Sequence, residues 1–367
     1  MANFPDPPAA LELTLRTPPG DDRPVFVAGN FNNWTASDPN FRLEQIGDGE
    51  FRYRFPVNAS PQLPIEYKYL RGDWSGAEID RFGNETPNRI LRERHGAHRD
   101  FVPRWRHDGQ SYRPDLLPQV RVISDHFDPP AGVRTRRVAA LLPHDYEQTR
   151  RRYPVLYLQD GQNLFDDYAP FGSWELLRQL AGLQGIGRGN LIVIAIDHAE
   201  EDRVEEYTPS FDTKLGVGQG KEYVRYLRNV VKPFVDAEFR TLPGREHTGI
   251  GGSSMGGLIS IYAGLMFPDC YSKLMIFSPS LWVAPTIYKY KSNAFGTQPT
   301  RVYLYGGGKE SKGLLPQMKR FQRSIERACR NDDQLEIQLQ VNPEGVHNEA
   351  EWGREFPRAV EWLFYGG

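Results

Sequence analysis

Near-continuous apolar runs dominate the C-terminal two-thirds of the chain: YPVLYLQD (153–160), NLIVIAID (190–197), SKLMIFSPS (272–280), TRVYLYG (300–306) and LEIQLQV (335–341). Strands covered on both faces read this way, and such burial belongs to parallel sheets flanked by helices. Helical stretches fall between the runs: WELLRQLAG (174–182), KEYVRYLRNVVKPFVDAEF (221–239), LISIYAGLMF (258–267) and LPQMKRFQRSIERACR (315–330). In the third, Leu258, Ile261, Tyr262 and Leu265 stand at i, i+3, i+4 and i+7, one face of a helix. Strands alternating with helices specify an α/β unit. An antiparallel pair over 119–127 and 133–143 opens it.

The first hundred residues follow another rule. LELTLRT (11–17), PVFVAGNF (24–31), FRYRFPV (51–57) and IEYKYLRGDW (65–74) are short and strand-like, separated by Gly, Pro, Asn and Asp clusters. That spacing predicts an all-β, immunoglobulin-like sandwich. The segment 92–117 is arginine-rich and broken by Pro103 and Pro114, with Pro118 just beyond. The expected division is therefore a sandwich over 1–108, a linker over 109–118 and an α/β domain over 119–367.

Composition narrows the classes of function. A chain of 367 residues suggests two domains. Forty-five basic against 47 acidic residues leave a net charge of −2, no footprint for nucleic acid or an anionic membrane. No apolar run approaches the roughly 18 residues of a membrane span. Cys270 and Cys329 are the two cysteines, too few for a disulfide framework, and no Cys/His spacing reads as a metal site. Neither metal nor cofactor is expected. The start, MANFPDPPAA, has no basic or strongly apolar region, and a cytoplasmic location is the expectation.

The sharpest motif is Gly252-Ser253-Ser254-Met255-Gly256, a G-x-S-x-G pattern between a strand-like segment and a helix. A turn that tight needs small residues around the serine and leaves its hydroxyl exposed at the carboxyl edge of the sheet. The following helix aims its unpaired amides at the same place. A serine nucleophile needs a base, and the base an orienting acid. His347 is the one histidine after Ser254, in a loop following the last strand, where this fold class puts it. Between them the run Gly306-Gly307-Gly308-Lys309-Glu310 reads as a flexible loop ending in a carboxylate, with Glu310 as the acid. Asp332 or Asp333 is the other choice, at the amino edge of a strand. Oxyanion donors are expected from the backbone amides of Met255 and of Gln162, in the loop after YPVLYLQD.

These pieces resemble the esterase branch of the α/β-hydrolases that includes enterochelin esterases, feruloyl and acetyl-xylan esterases and mycolyltransferases. The resemblance covers about 240 residues through YPVLYLQDGQNLFDD, GIGGSSMGGLISIYAG, FSPSLW, the loop ending in Glu310, and HNEAEW. It implies hydrolysis of a carboxylic ester through an acyl-serine, with Ser254, His347 and Glu310 as triad. The implied substrate is a siderophore-like, aryl or sugar-linked ester; acyl transfer to a sugar or lipid acceptor is the alternative. The segment HAEEDRVEEYTPSFD resembles the family's Arg…Glu-Tyr-Thr-Pro stretch, so Arg203, Glu206 and Tyr207 brace the site or touch substrate. Trp282 lines a pocket or packs in the core. The N-terminal unit resembles glycogen- and starch-binding modules through VFVAGNFNNW, EYKYLRGDW and ETPNR. That resemblance places a glycan against Trp34, Lys68, Trp74 and Asn88; a lid or spacer role, or a non-catalytic carbohydrate-binding protein, is the competing reading.

Overall fold

The computed structural model describes residues 11–56, 61–124, 136–165, 169, 171–289, 295, 298–329 and 334–366. It divides into two units, Met1–Arg113 and Pro114–Gly367.

The first unit is all β. Its strands are β1 (Glu12–Arg16), β2 (Val25–Gly29), β3 (Glu44–Gly47), β4 (Glu50–Arg54), β5 (Ile65–Arg71), β6 (Glu78–Ile79), β7 (Arg89–Leu91), β8 (Ala97–Phe101) and β9 (Arg104–Trp105). They form sheets of order β3-β4-β1-β8 and β2-β5-β7 and a β6-β9 pair. Period-two patterning explains the layering. In β1, Leu13 and Leu15 are buried between less buried Glu12, Thr14 and Arg16. They share one core with Phe51 of β4, Val25 and Val27 of β2, and Tyr67 and Tyr69 of β5. Both tyrosine hydroxyls donate to Asp100 at 2.8 Å, and Arg89 bridges Asp100 to Glu78.

The second unit holds β10 (Gln119–Ser124), β11 (Val138–Leu142), β12 (Val155–Gln159), β13 (Ile192–Ile196), β14 (Thr248–Ser253), β15 (Lys273–Phe277), β16 (Thr300–Gly307) and β17 (Leu335–Asn342). They make one sheet of order β10-β11-β13-β12-β14-β15-β16-β17. β10 and β11 pair antiparallel with each other, and β11 antiparallel with β13. The remaining pairs are parallel. β11 through β14 are buried along their whole length. β17 departs from the expected pattern. It is an edge strand of intermediate burial, and its LEIQLQV alternation is what a half-covered edge requires.

The helices are α1 (Gln162–Phe165), α2 (Leu176–Gly185), α3 (Arg203–Tyr207), α4 (Gly220–Tyr226), α5 (Lys232–Glu238), α6 (Ser254–Met266), α7 (Leu314–Ala328) and α8 (Glu349–Tyr365), with a π-turn at Leu227–Val231 joining α4 to α5. Alternate residues of β15 serve opposite faces. Leu274 and Ile276 join the cluster of Leu258, Ile261 and Leu265 from α6. Phe277 stacks on Trp174 at 5.3 Å, and Trp174 meets Trp352 and Phe356 of α8. α8 has no counterpart in the sequence reading, and it holds Pro357 within its length. Its signal was present: Asn348 caps it by accepting the Glu351 N–H at 2.9 Å, and Trp352, Phe356, Val360 and Leu363 are its buried stripe.

A buried ion pair joins the residue two before β11 to α3. Arg136 donates to both Glu206 oxygens at 2.6 Å, with side chains 1% and 2% exposed. Removing one partner takes a counter-charge away from a buried charged group. Glu206→Ala is expected to destabilise the second unit by about 3–5 kcal/mol, measured as the free energy of urea unfolding; a loss under about 1 kcal/mol contradicts this.

Candidate active site

The central parallel strands end at one sheet edge, and the loops leaving that edge supply the site. β14 turns into α6 at Ser254, whose φ of 55° lies in the left-handed region where non-glycine residues are strained. The chain folds back so tightly that side chains have no room beside it. A Cβ on Gly252 would lie 2.9 Å from the Gly256 carbonyl carbon, and one on Gly256 2.8 Å from Asp160 Oδ2. The Ser254 hydroxyl meets the Ser280 hydroxyl at 3.2 Å, and the Ser280 N–H donates to the Ser254 carbonyl at 3.0 Å. No hydrogen bond joins Ser254 to His347 in this structure.

Glu310 and His347 meet directly, Nδ1 to Oε2 at 2.5 Å. The Glu310 side chain is only 2% exposed, against 45% for His347. Its other oxygen accepts the Gly307 N–H at 2.6 Å and the Ser278 hydroxyl at 2.7 Å. Burial alone would raise the Glu310 pKa; the hydrogen bonds from His347, Ser278 and Gly307 outweigh it and hold the carboxyl below its ordinary value. With Nδ1 committed to the acid, Nε2 is left for the proton of a nucleophile.

The glycine run before Glu310 is not the flexible loop expected from its composition. A Cβ on Gly307 would stand 2.3 Å from the Gly345 carbonyl oxygen, and one on Gly308 2.5 Å from that of Pro343. The Gly308 and Lys309 amides donate to the carbonyls of Asn342 and Gly345 at 2.7 and 3.0 Å. Glycine is there to let the acid loop and the histidine loop lie backbone against backbone. Asp332 and Asp333 fall outside the described residues.

The loop after β12 turns at Asp160, which has φ 60° and is 4% exposed. Arg203 grips it with two bonds, Nε to Oδ1 at 2.6 Å and Nη2 to Oδ2 at 2.8 Å. Tyr207 is fully buried and its hydroxyl accepts the Asp160 N–H at 3.4 Å. Arg203 and Tyr207 therefore brace the turn, and Tyr207 has no surface for a substrate. The Gln162 side chain accepts the His198 N–H at 2.9 Å. This leaves the backbone amides of Gln162, at the start of α1, and of Met255, in the first turn of α6, without a protein acceptor among the described residues. Trp282 is 49% exposed, which rules out the core-packing alternative for it.

The first unit carries a separate cleft of about 290 Å³. Trp34, Lys68, Trp74 and Asn88 all line it, with Glu78, Glu85 and Arg106 adding charge. The two indoles stand 6.3 Å apart, tilted by 38°, and Trp74 is 41% exposed.

Sequence reasoning missed Ser278, Ser280 and Trp352, whose hydroxyl and indole groups touch the acid, the serine and the imidazole. The FSPSLW motif held the first two, four and two residues before Trp282, the one residue singled out there.

Comparisons with known proteins bear on the family and the fold. The family described as "Putative esterase" matches residues 132–363. The chain is 26% identical to the Bacillus subtilis protein YbbA over 242 residues, 62% of this chain and 92% of that protein. It is 27% identical over 160 residues to the siderophore triacetylfusarinine C esterase of Aspergillus fumigatus, 41% of this chain and 52% of that one. The crystal structure of the enterobactin esterase from Shigella flexneri, determined with enterobactin present, superposes with a TM-score of 0.55 at 15% identity, covering 96% of this chain and 92% of that one.

Because the folded Glu310 pKa lies below its ordinary value of 4.5, ionised Glu310 stabilises the fold. That contribution is complete above about pH 4.5 and is lost as pH falls through the lower folded value. Glu310→Gln is expected to reduce thermal stability near pH 7 while losing less than the wild type on acidification towards pH ~3. Parallel losses in the two proteins contradict the assignment.

Proposed function

Because this chain belongs to that esterase family, we propose that it hydrolyses carboxylic esters with Ser254 as nucleophile, His347 as general base and Glu310 as orienting acid. The observation that carries this reading is the 2.5 Å contact of Glu310 with His347 Nδ1, at the same sheet edge as a serine held left-handed at a strand-to-helix turn.

His347 Nε2 takes the Ser254 hydroxyl proton as the oxygen attacks the ester carbonyl. Glu310 stabilises the resulting imidazolium. The carbonyl oxygen becomes an oxyanion and is met by the Gln162 and Met255 amides, with the N-terminal end of α6 adding its partial positive charge. The tetrahedral species collapses, the C–O bond to the alcohol breaks, and His347 returns its proton to the leaving oxygen. Water then repeats the sequence on the acyl-serine: His347 removes its proton, hydroxide adds, and Ser254 leaves with the proton restored. The names of the A. fumigatus and S. flexneri relatives support a siderophore-like ester as the first substrate class to test, ahead of aryl and sugar-linked esters. The half-exposed Trp282 indole is suited to an aromatic or other apolar part of such a substrate.

For the first unit, we propose an α-glucan-type ligand in the Trp34–Trp74 cleft. Tilted indoles offer stacking faces to sugar C–H surface, while Lys68, Asn88 and the nearby carboxylates meet hydroxyls.

Steady-state turnover of p-nitrophenyl acetate and butyrate tests the triad. Ser254→Ala and His347→Ala are each expected to lose about a thousandfold or more in kcat; rates equal to wild type contradict the reading. Affinity electrophoresis through glycogen tests the cleft. Wild type is expected to be retarded and Trp34→Ala/Trp74→Ala to run as in a glycogen-free gel. Equal mobility of both proteins in the two gels contradicts glucan binding.

A further inference from the structure

One buried chain of hydrogen bonds is not used by the triad itself. Ser278 is 1% exposed and has a φ of 43°, a left-handed conformation that a serine rarely adopts. Its amide donates to the Tyr305 carbonyl at 2.7 Å. Its hydroxyl donates to Glu310 Oε1 at 2.7 Å and accepts the Trp352 indole N–H at 3.0 Å. The direction of this chain is fixed by chemistry. An indole nitrogen can only donate, and a hydroxyl has one proton. With Trp352 donating to the Ser278 oxygen and the carboxylate only accepting, the Ser278 proton is directed to Glu310.

The same Trp352 stands edge-on to His347, with ring centroids 4.8 Å apart and planes at 86°. Its indole thus touches the imidazole directly and reaches the acid through one hydroxyl. Trp352 is itself 3% exposed, wedged against Trp174. The Ser278 backbone lies against the elbow: a Cβ on Gly257 would come within 3.2 Å of the Phe277 carbonyl oxygen and 3.4 Å of Pro279 Cα. Two residues on, Ser280 holds the Ser254 hydroxyl.

We propose that Ser278 and Trp352 are positioning residues for ester hydrolysis. The Ser278 hydroxyl orients the Glu310 carboxylate towards His347, and the Trp352 indole fixes the plane of the imidazole. This rests on the triad reading of Ser254, His347 and Glu310.

The other charged groups around this pair are accounted for. Glu349, at the start of α8, is close enough to feel His347, Asp160 and Arg203. Lys309 is paired with Glu344, Glu351 with Arg354, and Asp160 with Arg203. None of these donates to Glu310, so the donor removed in Ser278→Ala has no replacement there. The Ser278 hydroxyl is one of the donors that hold the Glu310 carboxyl below its ordinary value, so without it the carboxylate takes up a proton at higher pH. The acid limb of the kcat/KM profile therefore moves to higher pH.

The test is kcat/KM for p-nitrophenyl butyrate against pH for wild type, Ser278→Ala and Trp352→Phe, with thermal midpoints for each. Ser278→Ala is expected to lose about ten- to a hundredfold in kcat/KM, the worth of one hydrogen bond to a charged group, with its acid limb displaced upward. Trp352→Phe keeps a smaller apolar ring at this position and removes the N–H donor to Ser278, and is expected to show a smaller displacement in the same direction. Folded variants with the wild-type rate and profile overturn the proposal while leaving the triad intact. Should Ser278→Ala fail to fold, Trp352→Phe decides alone. An inactive wild type overturns the triad reading instead.

Discussion

The arrangement at the sheet edge depends on one backbone constraint, the left-handed residue between β14 and α6. A serine at φ 55° is held there because the turn is enclosed. Gly252 and Gly256 leave space for Gln159 and Asp160 to approach, and Asp160 is itself held left-handed and gripped by Arg203. The elbow and the loop after β12 are thus fixed against each other. That contact determines where the amides of Met255 and Gln162 stand relative to the Ser254 oxygen. Strain of this kind costs about 1–3 kcal/mol per residue and persists only where the surroundings over-determine it.

A second constraint acts on the other half of the site. Glu310 and His347 lie 37 residues apart in sequence, on loops after β16 and β17. They meet because the two loops are hydrogen-bonded backbone to backbone. Gly307 and Gly308 permit that approach. α8, capped by Asn348 immediately after His347, carries Trp352 back beneath the imidazole. The histidine is thereby held by its acid on one side and by an indole edge on the other, although its side chain is 45% exposed.

Much of this was legible in the sequence because it is carried by local pattern. Apolar runs gave the inner strands, the glycine-flanked serine gave the turn, and a single histidine downstream of Ser254 left no competitor. What escaped depends on long-range packing. Ser278 and Trp352 are 74 residues apart, and nothing in either local sequence announces that they touch. The Gly306–Gly308 run has the composition of a flexible loop, yet Gly307 and Gly308 answer to neighbouring carbonyls that only the folded chain brings near. Tyr207 sits in a segment that opens at the active edge, but its ring packs against Tyr223 in the core. Trp34, Lys68, Trp74 and Asn88 were singled out by resemblance alone; that they line one cleft is a property of the fold.

The central claim is that the Ser254 oxygen becomes a nucleophile through His347. The most direct measurement is reaction with an aryl phosphonate ester, followed by peptide mass spectrometry. One phosphonyl group per chain is expected, located on Ser254, with labelling abolished in His347→Ala. An unlabelled wild type, or a phosphonyl group on Ser278 or Ser280 in place of Ser254, would contradict it.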